Sequence, residues 1–225
     1  MKGLLAALFA LVLLPAVHAA PPTGAPPQLN TRFEQADVAR WLAIFERPGR
    51  ELWDRRHDIV AALGLKPGMR VADIGAGTGF FSLLFADAVG PTGKVYAVDV
   101  SQPFIDFIAE RARRAGKHNV VTVRNTDHSV MLPAGSIDLA FVADTYHHFE
   151  YPADMLAGIR AALKPGGALV VIDFRKDPRV ATPWVMQHVR AGKPRVIREI
   201  EAAGFELVED RPLLRTQYFL RFRKR

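Results

Sequence analysis

In the stretch VADIGAGTGFFS, residues 71–82, a carboxylate and three glycines occupy alternate positions: Asp73, Gly75, Gly77 and Gly79. Such a run reads as a strand turning tightly into a helix, with glycines where side chains would keep a ligand off the backbone. Helix N-termini favour anions, so a dinucleotide pyrophosphate is the first ligand to consider. The spacing excludes it. Counted from Gly75 and Gly77, the fingerprint G-x-G-x-x-G/A puts Phe80 where a small residue is required. Asp73 would also repel a diphosphate, and suits a ligand with a cationic ammonium. Asp99 ends the next apolar run, VYAVD, where one carboxylate can accept from two ribose hydroxyls. A nucleoside that carries an amino acid and lacks phosphate fits these residues, and S-adenosylmethionine is such a molecule.

A second group of chemically capable residues lies in DTYHHFEYP, residues 144–152. Methyl transfer from an activated donor needs alignment above all, and a general base only when the acceptor loses a proton. With an unperturbed pKa of about 6.5, His147 or His148 suits that task, and Tyr146 is placed to orient an acceptor by hydrogen bonding. Adjacent residues leaving a strand point apart, so one histidine at most is expected to face the acceptor. The alternative is that the segment packs the lip of the pocket. A metal site from Asp144, His147, His148 and His128 is not expected, because adjacent histidines lack the i, i+4 spacing that puts two imidazoles on one helix face. Upstream, FERPGRELWDRRHD offers Arg47, Arg50, Arg55 and Arg56, any of which can grip a carboxylate bidentately or lie on a solvated face.

These residues need a frame, and the chain supplies one. From Thr31 onward, strand and helix patterns alternate: two N-terminal helices within residues 31–63, then RVADIG, GFFSLLFADAVG, GKVYAVDVS, PFIDFIAERARRAG, NVVTVRN, SIDLAFVAD, PADMLAGIRAALK, GALVVIDFR and KPRVIREIEAAG. FELVEDR and TQYFLRFRK follow too closely for a helix between them, and read as an antiparallel hairpin. The expected fold is α/β: a three-layer Rossmann-like sandwich on a seven-stranded, mostly parallel sheet, with its ligand at the carboxyl ends of the strands.

Residues 1–20 stand apart from that frame. Lys2, an apolar run over Leu4–Leu14 and small residues at Ala16, Ala19 and Ala20 have the build of a secretory signal peptide. Cleavage would leave an exported, periplasmic protein without a stable membrane span; an uncleaved segment would leave it anchored or cytoplasmic. Residues 21–30 form a proline-rich linker, and residues 31–225 one domain. The chain has 225 residues, no cysteine and a net charge of +7, so disulfides and thiolate metal centres are excluded. Its basic segments, ERARRAGKH and RFRKR, lack the interleaved aromatics of a nucleic-acid module. ADTY stands where base-amino methylation would need [N/D]PP[Y/F], and a small-molecule or lipid-like acceptor is expected, with no nucleic acid.

Four segments in order, VADIGAGTGFFS, VYAVDVS, LPAGSIDLAFVADTYHHF and LKPGGALVVID, resemble the class I S-adenosylmethionine-dependent methyltransferases, in particular the ubiquinone/menaquinone C-methyltransferase group. The resemblance runs from about Gly64 to Phe174. It implies that Gly75, Ala76 and Gly77 approach the methionyl part of the cofactor, with Asp73 acting through the loop. It implies further that Asp99 holds the ribose, that Val100 packs on adenine, and that Asp127 or the backbone of His128 meets the adenine amino group. Asp144 would lie beside the sulfonium. The alternative is a non-catalytic nucleoside-binding protein on the same fold. The acceptor pocket is expected between the N-terminal helices and RKDPRVATPWVMQHVRAGKPR, with Trp184 and Met186 as candidate lining residues.

Overall fold

A computed structural model describes residues 24–225. The expected signal segment and the first residues of the linker lie outside the described residues. Seven strands form one sheet: β1 (Arg70–Ile74), β2 (Lys94–Asp99), β3 (Val120–Arg124), β4 (Ile137–Ala143), β5 (Leu163–Phe174), β6 (Phe205–Arg211) and β7 (Gln217–Lys224), in the spatial order 3-2-1-4-5-7-6. Strands 1 to 5 pair in parallel, and β7 runs antiparallel to both β5 and β6. The Rossmann-like α/β sandwich read from the sequence is therefore the observed fold. The hairpin inserts its second strand because Tyr218, Phe219, Leu220 and Phe222 are buried on both faces. The charged β6, with Glu206, Glu209, Asp210 and Arg211, takes the edge.

Side chains alternate across the strands. Val71, Val95, Leu139, Phe141 and Val170 pack with Phe81, Phe85 and Val89 of α5 (Phe80–Val89) and with Ile59 and Leu63 of α4 (Arg56–Leu63). On the other face Ala72, Ile74, Val142 and Val171 meet Leu156 and Ile159 of α7 (Pro152–Ala162) and Val196 and Ile200 of α9 (Lys193–Ala202). Helix α6 (Gln102–Arg114) lies along β2 and β3. The order of strands reverses between β1 and β4, which opens a crevice at their carboxyl ends.

The region expected to hold two N-terminal helices carries four shorter ones: α1 (Thr31–Glu34), α2 (Val38–Phe45), α3 (Glu51–Asp54) and α4. Asp37 starts α2 afresh by accepting from the Arg40 amide at 3.1 Å, and the backbone kinks again at Arg55. One helix was not foreseen, α8 (Pro183–His188), capped by Thr182 accepting from the Val185 amide. Among the described residues no helix is long and apolar enough to cross a membrane.

Candidate cofactor and acceptor site

The glycine loop leaves β1 with Gly75, Gly77 and Gly79 all in the left-handed region, at φ of 74°, 56° and 75°. A Cβ at Gly75 would lie 2.3 Å from the Thr145 side chain, and one at Gly79 would lie 2.8 Å from Ile108 of α6. The two glycines thus serve different ends. Gly75 and Gly77 line the cavity, whereas Gly79 lets α5 start against α6 and does not line it. The loop amides are already engaged. Gly75 and Ala76 both donate to the Val98 carbonyl, and Gly79 donates to that of Ala76. Gly77 donates to Oδ2 of Asp99 at 2.8 Å. A diphosphate would need those donors free; a phosphate-free ligand needs only the absence of side chains. The loop therefore fits S-adenosylmethionine, while Ala76, expected beside the methionyl part, spends its amide on Val98 and lines only the minor crevice that it shares with Asp73.

Three carboxylates surround this loop. Asp99 accepts one amide on each oxygen, from Gly77 and from Ser101 at 2.9 Å. Each oxygen retains a second lone pair for a hydroxyl. Burial pushes its pKa up to about 6. Asp73 lies beneath the loop, bonded to the Ser82 hydroxyl at 2.6 Å, and burial pushes it up to about 7. It opens onto a minor crevice with Ala76 and Phe80 rather than onto the main cavity. Asp144, one residue beyond β4, is held at φ 47° and burial raises it to about 6, although the Arg50 guanidinium opposes the rise. Nη2 of Arg50 lies 3.0 Å from its Oδ2, while Oδ1 is buried without a partner. Val100 and Asp127 line the cavity on the β2–β3 side.

The N-terminal elements roof the loop and are tied down at several points. Glu46 accepts from Thr78 Oγ1 at 2.6 Å and from both terminal nitrogens of Arg111. Arg50 also donates to the Phe45 carbonyl at 2.8 Å. Glu51 accepts from the amides of Arg215 and Thr216 at 2.6 and 2.8 Å, joining α3 to the residues that lead into β7. Of the four arginines singled out in the sequence, Arg47 and Arg50 line the cavity. Arg55 pairs with Asp58 on the exposed surface, and Arg56 lies over the Trp53 ring.

At the far end the cavity meets a wall of rings. Tyr146–His148 form a 3-10 turn, which rotates successive side chains by about a third of a turn rather than to opposite sides. The expectation that only one histidine faces inward is corrected on this account: both line the cavity, with ring centroids 4.2 Å apart. His147 Nδ1 lies 2.8 Å from Oδ1 of the buried Asp173, which also accepts the His147 amide. His148 Nδ1 donates to Oδ1 of Asn30 at 3.0 Å. His188, from α8, packs edge-on against both rings and stacks on Trp184. Burial, followed by the positive charge of neighbouring groups, lowers the pKa of His148 to about 2 and that of His188 to about 4.

Three expected residues stand elsewhere. The Tyr146 hydroxyl donates to Glu199 at 2.9 Å, on the side of α9 and away from the cavity, so it cannot orient an acceptor. His128 is exposed, stacked on Tyr151 and paired with Asp154, and its amide is taken by Thr126. Asp127 is left as the residue of that pair that lines the cavity. Trp184 lines it and Met186 does not. Asp173 and His188 were missed. A lone carboxylate closing the apolar VVID was a signal for the first, whereas nothing local marks the second.

Comparison with known proteins agrees with this geometry. A family model described as a methyltransferase domain matches residues 72–169. The ubiquinone/menaquinone biosynthesis C-methyltransferase of Cupriavidus necator is 31% identical over 177 residues, 67% of this chain and 72% of that protein. Its counterpart in Cupriavidus taiwanensis is 27% identical with the same coverage. A crystal structure of a SAM-dependent methyltransferase from Aquifex aeolicus superposes with a TM-score of 0.74 at 27% identity, covering 84% of this chain and 99% of that one. The fold and the glycine site define a Rossmann-like enzyme built around a phosphate-free nucleoside. The chain belongs to the class I S-adenosylmethionine-dependent methyltransferases, and S-adenosylmethionine is its cofactor.

Proposed function

We propose that this methyltransferase acts on a small, largely apolar, quinone-like acceptor bound at the histidine end of the cavity. The observation that carries the reading is a single cavity of about 620 Å³, continuous from Gly75 and Asp99 to Phe33, Trp41, Phe174 and Trp184. That size lies within the range of small-molecule sites, and its aromatic end offers flat apolar walls to a ring. The relatives named as C-methyltransferases of quinone biosynthesis support the same acceptor class.

Bound S-adenosylmethionine supplies a methyl group already activated on sulfonium. The protein's part is then placement and exclusion of water. Asp99 takes the ribose end, Asp127 and Val100 the adenine end, and Asp144 with Arg50 the amino-acid end. His147, which packs against Phe174, and its neighbour His148 place imidazole rings at this end of the cavity, where a polar group of the acceptor can be fixed. Incubation with methyl-labelled cofactor and a panel of phenols, hydroquinones, amines and carboxylic acids tests the proposal. Label is expected in the phenol and hydroquinone arms; label only in the amines or acids would overturn the acceptor class.

We further propose that residues 1–20 direct export, on the strength of their charge, apolar run and small residues. Sequencing the N-terminus of protein from fractionated cells tests this. Export predicts a periplasmic chain that begins near Ala20 or Pro21.

A further inference from the structure

His147, His148 and His188 come from two separate segments, and one ring nitrogen of each lies within 4.8 Å of the others. Hydrogen bonding settles which lone pairs are offered. Asp173 and Asn30 hold the Nδ1–H groups of His147 and His148, so both Nε2 atoms present lone pairs. Nε2 of His147 is buried and has no hydrogen-bond partner, an arrangement whose desolvation goes uncompensated unless something fills it. A carboxylate behind a histidine is also the usual support of a metal-bound imidazole, because it fixes the tautomer and raises ligand basicity. The chain has no cysteine to compete, and an all-imidazole set suits zinc, copper or nickel rather than calcium or magnesium.

We propose that these three histidines form a binding site for a zinc-type divalent transition ion at the ring-lined end of the cavity. Nitrogens on a tetrahedral zinc lie about 3.4 Å apart, given Zn–N bonds of 2.0–2.1 Å. The rings therefore close by roughly an ångström, and His188, the last residue of α8 and part-exposed, is the one placed to move. The opposing charge is Arg32, whose Nη2 approaches His188 Nε2 at 3.4 Å, a long and exposed contact that the ion displaces. Three protein ligands leave a fourth position for an oxygen. Taken with the acceptor placement proposed above, on which this last step rests, that position favours an acceptor bearing a phenolic or enolic oxygen.

The test uses the full chain, stripped with chelator and titrated calorimetrically with zinc, with cobalt absorption as a second readout of tetrahedral nitrogen ligation. One equivalent is expected to bind, with affinity falling at least tenfold in His188→Ala and in Asp173→Asn. His188→Ala is the decisive variant, because its part-exposed site spares the core. Failure of the wild type to take up an equivalent, or unchanged affinity in His188→Ala, overturns the site. S-adenosylmethionine titrated into the same samples reads the methyl-donor site separately. A protein that binds the donor and no zinc therefore refutes the metal site alone.

Discussion

Arg50 reaches from the N-terminal roof to Asp144 at the carboxyl end of β4, with Nη2 3.0 Å from Oδ2, and lies over the Phe45 and Phe80 rings. The pair joins a largely buried cation of the roof to a carboxylate held in a left-handed conformation. Arg50→Ala should weaken S-adenosylmethionine binding by about 10- to 100-fold, the usual worth of a charge-assisted contact. Arg55→Ala, on the exposed face, should leave it unchanged. Calorimetry on both variants checks the contrast, and equal affinities would remove Arg50 from the site.

The glycines separate by role. Gly75→Ala places a methyl on Thr145 and strains φ at 74°, so donor binding should be lost. Gly79→Ala meets Ile108 instead and should cost about 1–3 kcal/mol of stability, with donor affinity of the folded protein within about twofold of the wild type. Thermal melts paired with titration distinguish the two, and a matching loss of affinity in Gly79→Ala would return that residue to the ligand.

Asp73 makes stability depend on pH. Its folded pKa of about 7 exceeds the ordinary carboxylate value, so the fold prefers the protonated form. That contribution is complete below about pH 4 and disappears as pH rises towards 7. Asp73→Asn keeps an oxygen for the Ser82 hydroxyl and removes the ionisation. Its unfolding free energy should match the wild type near pH 4 and exceed it at pH 8, by a gap of up to roughly 4 kcal/mol. A gap that shrinks towards high pH would contradict the sign.

Tyr146→Phe removes the hydrogen bond to Glu199, which keeps Arg190 and Arg195 as partners. Stability should fall by about 1–2 kcal/mol while kcat/KM stays within twofold. A tenfold loss of kcat/KM without a shift in melting would place the phenol in the reaction after all.

Much of this was legible in the chain. Periodicity and turn residues located every strand, because buried parallel strands are short apolar runs and each glycine of the loop interrupts one pattern to begin another. The cofactor class followed from Asp73, Gly75, Gly77 and Asp99, whose spacing is local. What stayed hidden depends on contacts distant in sequence. Arg50 and Asp144 are separated by 94 residues, and Asn30 and His148 by 118. The direction of Tyr146 depends on a 3-10 turn that no hydrophobic period announces, and His188 on a six-residue helix that buries only Val185 and so shows no apolar stripe.

The bonds from Glu51 to the Arg215 and Thr216 amides tie the front of the chain to its last strand. While the polypeptide is being made, the roof can therefore fasten to Thr78, Arg111 and Asp144 long before its last anchor, at Arg215 and Thr216, exists. Completion of the binding pocket waits for nearly the whole chain to emerge, and a product truncated before Arg215 would hold its cover through Glu46 and Arg50 alone.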